Sequence, residues 1–548
     1  MRQPQLTLTS LLERAGTLFP NTEIVTQRPD NSTHRYTYRD MYRRARALAA
    51  ALQSSGIGHG DRVATLMWNH HMHLEAYFAV PAIGGVLHTL NLRLHPDEIA
   101  FIINHAEDRV LIVDDVLWPV FERVRDKLHV KLERVIVTSF GGEPLAHGMH
   151  DDCEQYEAVL RHASDSGLEP VYADLAETDP AGMCYTSGTT GRPKGVVYTH
   201  RAIALHSFSI SLPDNFHISR HDTILPAMSM FHANAWGLPY AGVMNGSRLV
   251  LPGPNVQPAP LLDVLSRERV TLTGAVPTVW LGVLDTLEQH PDRWSLVKGL
   301  RVVVAGAAAP ETLFRRFDRF GVEVIQPWGM TEIAPMATVC TLKPHMKTWS
   351  EDEQYAMRAK QGPPSPFIEI RAIGDRGEVP WDGQTPGELQ VRGPWVASSY
   401  YKQPEAHIHW SADGWFHTGD VATIDAEGFV KIADRIKDLI KSGGEWISSV
   451  DMENALVAHP SVAEAAVIAV PDAKWQERPL AIVVLKPNAT ETPTPDDLRA
   501  FLARTFAKWQ LPDDVLIVDE LPHTSTGKLL KSELRRRYRD GELSLQNA

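Results

Sequence analysis

Short apolar runs alternate with amphipathic segments through most of the chain. Apolar runs bounded by turn residues are typical of strands buried in parallel sheets. The runs lie at Arg62–Trp68, Val110–Val113, Val135–Thr138, Leu249–Leu251 and Val302–Val304. The spacing of apolar residues predicts helices at Tyr38–Ser54 and Asp97–His105. This alternation predicts an α/β fold with largely parallel sheets.

The pattern changes after about residue 365, where short strands are set among Gly, Pro and Asp turns. Strands are predicted at Phe367–Ile373, Gly387–Arg392 and Phe429–Ala433. They indicate a small antiparallel or barrel-like unit at the end of a large N-terminal domain of parallel-rich α/β subdomains.

Beyond Asp434 the pattern predicts a compact α+β domain. Its predicted elements are a helix at 450–459, strands at 464–470 and 480–486, a helix at 495–509 and a strand at 515–521. We expect a boundary near Asp434–Leu439, and hence two domains, residues 1–436 and 437–548. The charged segment IKDLIK at this boundary fits equally well the exposed face of a helix.

Length and composition exclude several classes of protein. The chain has 548 residues, enough for three to four domain-sized units, and its 43% hydrophobic and 22% charged residues are ordinary for a globular protein. Its net charge of −13 repels phosphate backbones, so we expect no nucleic-acid partner. No apolar run reaches the roughly 18 residues of a transmembrane helix. Three dispersed cysteines and the lack of a secretory leader predict a cytoplasmic protein.

The segment YTSGTTGRPKG, residues 185–195, predicts a phosphate-binding loop. Glycines let backbone N–H groups approach phosphate oxygens, while hydroxyls and a lysine add donors and charge. The loop differs from that of P-loop NTPases because Lys194 is followed by Gly195. The alternatives are a plain surface loop and a nucleophilic Ser187, although the surrounding sequence is not GxSxG. The candidate phosphate ligands are Thr186, Ser187, Gly188, Thr189, Thr190, Gly191 and Lys194.

This loop closely resembles that of the adenylate-forming superfamily, which comprises acyl-CoA synthetases, adenylation domains of peptide synthetases, and luciferases. Five further motifs follow in the family's order, so the resemblance covers essentially the whole chain. It implies ATP, CoA and Mg²⁺ as small-molecule partners, a mobile C-terminal domain, and a possible homodimer. GAAAP at 306–310 and PWGMTE at 327–332 resemble the adenine and magnesium segments, with Trp328 replacing the tyrosine common in the family. The residues implied are Gly306, Ala307, Ala308, Gln326, Trp328, Gly329, Met330, Thr331 and Glu332, and the metal is implied at Thr186 and Glu332.

Three motifs nearer the C-terminus complete the resemblance. WFHTGD resembles the segment whose aspartate, here Asp420, accepts from both ribose hydroxyls. DRIKDLIKSGGEWIS resembles the hinge, with Arg435 near the ribose or phosphate and Lys437 at the pivot. PHTSTGKLLK resembles the loop of the adenylation lysine, here Lys528. The implied CoA-binding residues are Lys441, Ser442, Gly443, Gly444 and Trp446.

The acyl site is predicted from two apolar segments. MFHANAWG at 230–237 resembles the acyl segment of medium- and long-chain fatty acyl-CoA synthetases. The resemblance implies His232 beside the reacting carboxylate and Trp236 as the gate of an acyl tunnel. VPTVW at 276–280 resembles the tunnel lining, with Val276 and Trp280. The two segments contain no Arg or Lys, which favours an apolar tail over a diacid, although His232 and Trp236 would also share one face of a core helix.

The function implied is that of an ATP-dependent fatty acid–CoA ligase. A carboxylate attacks the α-phosphate, and CoA then attacks the acyl-adenylate, with Lys528, His232 and Glu332 as candidate catalytic residues. Short-chain, methylthio-acid and aryl acid ligases remain alternatives, as do a carrier-protein acceptor and a non-catalytic scaffold. The separate cluster His70, His71 and His73 is predicted to be a solvated turn rather than a zinc site.

Overall fold

Two parallel-rich sheets make up most of the N-terminal part of the protein. The structure is a computed structural model, which describes residues 5–142, 153–186, 192–403, 408–443, 445–487, 492–524 and 527–543. Seven described strands form sheet I in the order β7-β6-β5-β3-β4-β8-β9, all parallel except β8–β9. They are β3 (Arg62–Leu66), β4 (Val86–Thr89), β5 (Val110–Asp114), β6 (Arg134–Thr138), β7 (Cys153–Gln155), β8 (Pro180–Tyr185) and β9 (Gly195–Thr199).

Sheet II has the order β15-β14-β13-β12-β10-β11-β1-β2, with eight strands in the described ranges. Its inner strands are parallel and its two end pairs antiparallel. The strands are β1 (Glu23–Gln27), β2 (Thr33–Thr37), β10 (Thr223–Pro226), β11 (Arg248–Leu251), β12 (Leu272–Ala275), β13 (Arg301–Val304), β14 (Glu323–Gly329) and β15 (Met336–Cys340). The five strands predicted from apolar runs all lie in these two sheets, because both faces of a parallel sheet are covered.

Sheet III is the unit predicted after residue 365. Its order β17-β16-β18-β19-β20 is antiparallel throughout and runs as an open path. The strands are β16 (Glu369–Gly374), β17 (Gly377–Glu378), β18 (Gly387–Arg392), β19 (Phe416–Ile424) and β20 (Val430–Arg435).

Sheet IV forms the C-terminal domain with β22-β21-β24-β23, and β25 pairs with β24. The strands are β21 (Ile440–Ser442), β22 (Glu445–Ile447), β23 (Val462–Asp472), β24 (Gln476–Leu485) and β25 (Asp514–Ile517). The IKDLIK segment is not a helix: β20 ends at Arg435, a turn follows, and β21 begins at Ile440.

Helices flank the sheets, and several begin at residues that accept the unpaired N–H groups of the first turn. Thr37 and Asp40 form a capping box for α2, and His95 caps α4 ahead of Pro96. The helices are α1 (Leu8–Leu18), α2 (Tyr38–Ser54), α3 (His71–Ala82), α4 (Pro96–Ala106), α5 (Trp118–Arg125), α6 (Tyr156–Asp165), α7 (His200–Ser211), α8 (Ala233–Trp236), α9 (Leu238–Asn245), α10 (Pro258–Arg267), α11 (Pro277–Gln289), α12 (Glu311–Asp318), α13 (Glu351–Arg358), α14 (Ser449–Val457), α15 (Pro495–Leu502) and α16 (Lys531–Arg539).

Helix α15 is shorter than predicted, since it ends at Leu502 rather than Trp509. The chain turns after Leu502, and Phe506 folds back so that its ring packs on the C-terminal core. Among the described helices, none is long and apolar enough to cross a bilayer.

The three histidines at the start of α3 correct the prediction of a solvated turn, because all three are buried. His70 is paired with Asp114 at 2.8 Å, His73 lies 3.0 Å from the Thr65 hydroxyl, and the His71 N–H donates to Thr26. Polar side chains of β3 and β5 in sheet I and of β1 in sheet II therefore hold this buried segment. The described residues contain no cluster of three or more His, Cys, Asp or Glu suited to a metal.

Candidate active site

An ion pair on the hairpin of β19 and β20 forms the centre of the candidate site. Asp420 and Arg435 face each other in the register of these strands, and Arg435 Nε lies 2.9 Å from Asp420 Oδ1. The Asp420 side chain is only 6% exposed. The charge of Asp420 raises the pKa of Arg435 above its ordinary value.

Trp328 supplies the second partner of this carboxylate. Its indole N–H donates to Asp420 Oδ2 at 2.9 Å, which links β14 of sheet II to β19 of sheet III. The tryptophan that replaces the usual tyrosine therefore still provides a polar contact. Both oxygens of Asp420 are held by donors, and their lone pairs leave room for further donors such as hydroxyl groups.

Glu332 lies on the short turn that follows β14, and it is buried. The Tyr400 hydroxyl donates to Glu332 Oε1 at 2.6 Å. The backbone of the same turn is held by the Tyr198 hydroxyl, which donates to the Thr331 carbonyl at 2.8 Å. Gly329 permits the turn, since a Cβ there would lie 1.7 Å from the carbonyl oxygen of Pro335.

The phosphate loop joins β8 to β9. The Thr186 N–H donates to the Lys194 carbonyl at 2.9 Å, and the Lys194 N–H donates to the Thr186 hydroxyl at 3.3 Å, so these residues close the base of the loop. Lys194 Nζ lies 3.1 Å from His409 Nε2 and 4.7 Å from the centre of the Tyr400 ring. The predicted ligands Ser187, Gly188, Thr189, Thr190 and Gly191 lie outside the described residues.

Lys528 reaches this site from the C-terminal domain. Its Cε lies 3.4 Å from the Cβ position of Gly306, whose φ of +92° suits glycine. Burial and the charge of Arg435 lower the pKa of Lys528 to about 8, although Asp420 and Glu332 oppose that shift. The pKa of Lys528 is therefore affected by charged residues of the N-terminal domain.

The remaining predicted nucleotide residues differ in exposure. Gly306 and Ala307 are exposed at the end of β13, Ala308 is half-buried, and Met330 is half-buried beside the main core. Gln326 is buried, and its amide donates to the Ala359 carbonyl at 3.2 Å. The amide nitrogen of Gln326 therefore bonds within the core, whereas its oxygen Oε1 is buried without a partner among the described residues.

His232 lies near Lys528 and is neutral. Burial lowers the pKa of His232 to about 3, and the charge of Lys528 acts in the same direction. Two hydrogen bonds hold the backbone of Met230, two residues before His232. The Met230 N–H donates to Asn69 Oδ1 at 2.7 Å, just before α3, and the hydroxyl of Tyr77 in α3 donates to the Met230 carbonyl at 2.5 Å. A neutral imidazole beside a carboxylate can donate one hydrogen bond without forming a fixed ion pair.

The segment after His232 is a left-handed turn. Ala233, Asn234, Ala235 and Trp236 have φ values of 43°, 54°, 49° and 54°. This conformation costs about 1–2 kcal/mol per residue for side chains other than glycine. The turn is buried and Trp236 packs in the main core, so its burial offsets the strain. Strain of this kind concentrates at binding sites.

The two predicted tunnel residues Val276 and Trp280 have different surroundings. Val276 Cγ1 lies 3.1 Å from the Cβ position of Gly306, and Cγ2 lies 3.4 Å from that of Gly527, so Val276 lines the site near Lys528. Trp280 is fully buried, donates to the Ala275 carbonyl at 3.1 Å and packs on Phe317. These contacts belong to the core and give no support to a role for Trp280 in acyl binding.

The predicted CoA residues lie on the hairpin of β21 and β22. Trp446 is 49% exposed, and Lys441 Nζ lies 5.3 Å from the centre of its ring. Ser442 is buried and accepts from Arg478 at 3.1 Å, whereas Gly443 lies against the exposed ring of Trp475. Lys437 lies in the turn between β20 and β21, and Gly444 lies outside the described residues.

Comparisons with known proteins identify the family of the chain. The family model of the AMP-binding enzyme matches residues 12–401, and that of the AMP-binding enzyme C-terminal domain matches residues 451–528. The chain belongs to the AMP-binding enzyme family. The resemblance to adenylate-forming enzymes is thereby confirmed.

Relatives match over nearly the whole chain. The sequence is 47% identical to a long-chain-fatty-acid–CoA ligase of Thermus thermophilus, over 98% of this chain and 97% of that protein. It is 42% identical to a 3-methylmercaptopropionyl-CoA ligase of Ruegeria pomeroyi, over 98% of each. The crystal structure of an anthranilate CoA ligase in complex with anthranoyl-AMP matches with a TM-score of 0.84 at 25% identity, covering 98% of both chains. This chain is an AMP-forming acid–thiol ligase with the predicted α/β fold.

Three contacts in the site were not predicted from the sequence of this ligase. Tyr400 holds Glu332, His409 holds Lys194, and Asn69 holds the segment that carries His232. Tyr400, His409 and Asn69 are far in sequence from the residues that they contact, and they belong to none of the motifs. Their role in the site is therefore visible only in the folded structure.

Replacing Trp328 by Phe should weaken ATP binding. The ring remains, but Asp420 loses a donor, and a hydrogen bond to a charged group contributes about 1.5–3 kcal/mol. We expect the KM for ATP to rise about tenfold, with a smaller effect on the KM for the acid, measured from initial rates of pyrophosphate release. The matched control is Trp294→Phe, which removes a Trp–Asp hydrogen bond to Asp263 elsewhere. An unchanged KM for ATP in Trp328→Phe would contradict the role of this contact.

The lowered pKa of Lys528 predicts that the rate falls at alkaline pH, which gives the pH–rate profile an alkaline limb. With a pKa lowered to about 8, the ammonium is charged below that pH and loses its proton above it. Because kcat/KM reports the free enzyme, kcat/KM for ATP should fall as pH rises through about 8. Lys528→Arg keeps the charge throughout and should lose this limb. A limb that persists in Lys528→Arg would assign it to another group.

Proposed function

We propose that this ligase joins medium- or long-chain fatty acids to CoA through an acyl-adenylate. The observation that carries the proposal is the position of Lys528, which reaches from the C-terminal domain to Gly306, and whose pKa is affected by Arg435, Asp420 and Glu332 of the N-terminal domain. A carboxylate approaching ATP brings negative charge towards negative charge, so a cation at the point of reaction lowers the barrier. Lys528, which lies over Gly306, suits that role.

The proposed nucleotide roles are those implied by the family resemblance, and the contacts of Asp420 support them. Asp420, held by Arg435 and Trp328, accepts from the ribose hydroxyls, and Trp328 lies beside the adenine. The loop from Thr186 to Lys194 binds the β- and γ-phosphates. The loop at Gly306, Ala307 and Ala308 borders the base. Because these groups orient the nucleotide before reaction, positioning and charge supply most of the catalysis.

Glu332 and Thr186 would hold Mg²⁺. The site offers one buried carboxylate and one hydroxyl, which fits this ion because Mg²⁺ usually takes one or two protein ligands and completes its shell with phosphates and water. Bound there, Mg²⁺ would neutralise phosphate charge. The hydrogen bond from Tyr400 fixes the orientation of the Glu332 carboxylate.

In the first reaction, an oxygen of the fatty carboxylate attacks the α-phosphorus, and the bond to pyrophosphate breaks. Neutral His232 donates to the carboxylate and orients it without pairing tightly to it. The tail then extends past Val276 and Trp236 into apolar surroundings. The absence of Arg and Lys from residues 230–237 and 276–280 supports an apolar tail.

In the second reaction, the CoA thiol attacks the carbonyl carbon and AMP leaves. We propose that the domain of residues 437–548 rotates about Lys437 between the two reactions, relative to residues 1–436. Lys528 then leaves the site, and Lys441, Ser442, Gly443, Gly444 and Trp446 contact the pantetheine arm. The exposure of Trp446 and of the Trp475 ring beside Gly443 supports a binding role for this hairpin.

A second candidate substrate is a short methylthio-substituted acid. The relative from Ruegeria pomeroyi, named for 3-methylmercaptopropionate, is 42% identical, close to the 41% of a medium-chain-fatty-acid–CoA ligase from Ectopseudomonas oleovorans. Both acids have apolar tails, so the same lining suits them.

We also propose a cytoplasmic location and a homodimer. The three cysteines are free thiols in the structure, which supports a reducing compartment. The homodimer is supported by the family resemblance.

Replacing Lys528 by Ala tests the division of labour between the two reactions. Adenylation should slow by about 100- to 1,000-fold, since a preorganised charge is removed. Thioester formation from supplied acyl-AMP and CoA should remain close to the wild-type rate. The two rates are measured separately, as pyrophosphate release and as acyl-CoA formation. Equal loss of both reactions would contradict the proposed role.

A panel of acids tests the substrate class. Initial rates with ATP and CoA should have their highest kcat/KM among straight-chain acids of about eight to eighteen carbons, because each buried methylene adds about 0.8 kcal/mol. The panel includes acetate, 3-methylmercaptopropionate, benzoate and a dicarboxylic acid. A maximum at 3-methylmercaptopropionate would favour the second candidate, and a maximum at benzoate would overturn both. Omitting CoA separates acyl-AMP formation from transfer.

A further inference from the structure

Two adjacent residues of β20 have different partners. Arg435 contacts Asp420 in the nucleotide site, whereas Asp434 contacts the start of α14 in the C-terminal domain. Successive side chains of a strand point to opposite faces, which explains the difference. One dipeptide therefore contacts both the nucleotide site and the domain that carries Lys528.

Asp434 is bound at a helix terminus. It is 2% exposed, and its Oδ2 accepts from the Ser449 N–H at 2.8 Å and from the Ser449 hydroxyl. Ser449 is the first residue of α14. N–H groups in the first turn of a helix have no partner within the helix, and the helix dipole favours an anion there. The carboxylate from β20 supplies that partner.

The same hydroxyl connects Asp434 to the helix that follows Lys528. Lys531 Nζ donates to Ser449 Oγ at 2.6 Å and pairs with Glu453 at 2.7 Å. The side chains of Lys531 and Glu453 are only 10% and 12% exposed. Lys531 begins α16, three residues after Lys528. The series Asp434, Ser449 and Lys531 thus connects β20 to the segment that carries the adenylation lysine.

We propose that Asp434 is a positioning residue that holds the C-terminal domain with Lys528 in the nucleotide site. The inference rests on the proposed function, since it assumes rotation about Lys437. Rotation would leave Asp434 on β20 and carry Ser449 and Lys531 away, so the carboxylate would keep the bond from the Arg435 N–H to Oδ1 but lose both charge-assisted hydrogen bonds to Oδ2. That loss favours the adenylation conformation over the thioester-forming one.

Other contacts across this boundary are weaker. Lys431 pairs with Asp451 at 3.0 Å, but their side chains are 48% and 37% exposed, and solvent-exposed pairs contribute little. The Ser448 hydroxyl donates to the Ala433 carbonyl at 2.6 Å, a bond between neutral groups. The contact of Asp434 differs from these two because it involves a buried charge. Asp451, an exposed carboxylate at the same boundary, provides a matched control.

The experiment measures the two half-reactions of Asp434→Asn, a change that removes the charge and keeps the size. Adenylation is followed as pyrophosphate release in a single turnover, and transfer as acyl-CoA formation from supplied acyl-AMP. We expect adenylation to slow about tenfold, as for the loss of one charge-assisted hydrogen bond, while transfer stays unchanged or becomes faster. Asp451→Asn should change each rate less than about twofold.

Ser449→Ala provides a second variant should Asp434→Asn fold poorly. It keeps the backbone N–H but removes the hydroxyl between Asp434 and Lys531, so it should slow adenylation in the same direction by a smaller factor. Equal slowing of both half-reactions by these variants would indicate a merely structural role, and no slowing of adenylation would also overturn the inference.

Lys528→Ala separates this inference from the proposed function. If Lys528→Ala slows adenylation alone while the Asp434 and Ser449 variants show no difference between the half-reactions, the positioning role is wrong and the proposed function stands. If Lys528→Ala slows both half-reactions equally, the division of labour itself fails.

Discussion

The ion pair between Asp420 and Arg435 is the interaction on which the rest of the site depends. Asp420 is buried, and an unpaired carboxylate would be costly there. Arg435 and Trp328 compensate that cost from two different sheets. The position of the nucleotide site is consequently tied to the packing of sheets II and III.

The same constraint extends to the C-terminal domain. Arg435 is the last residue of β20, and the chain enters sheet IV only five residues later, at Ile440. The C-terminal domain is therefore joined closely to the end of sheet III, and Lys528 approaches the site from the loop between β25 and α16 of that domain. The pKa of Lys528 is lowered by burial and by Arg435 and is raised by Asp420 and Glu332, so the charges of both domains affect its ammonium group.

The acyl segment combines strain with burial. Four successive residues with left-handed backbone conformations are costly, and they are stable only because surrounding groups hold both ends. Asn69 and Tyr77 hold Met230 before the turn, and Gly237 after it packs against His206. The sequence Ala-Asn-Ala-Trp by itself favours an ordinary helix, so local propensity does not reveal this turn.

The sequence by itself determined the α/β class, five strands of sheets I and II, and the membership of the family, because apolar periodicity and short motifs are local properties of the chain. Only the tertiary structure decided that Trp328 donates to Asp420, that Trp280 and Gln326 are buried and donate to backbone carbonyls, and that His70, His71 and His73 are buried. Each of these depends on residues far away in sequence. Burial, hydrogen-bond partners and pKa are set by such neighbours, and a motif does not encode them.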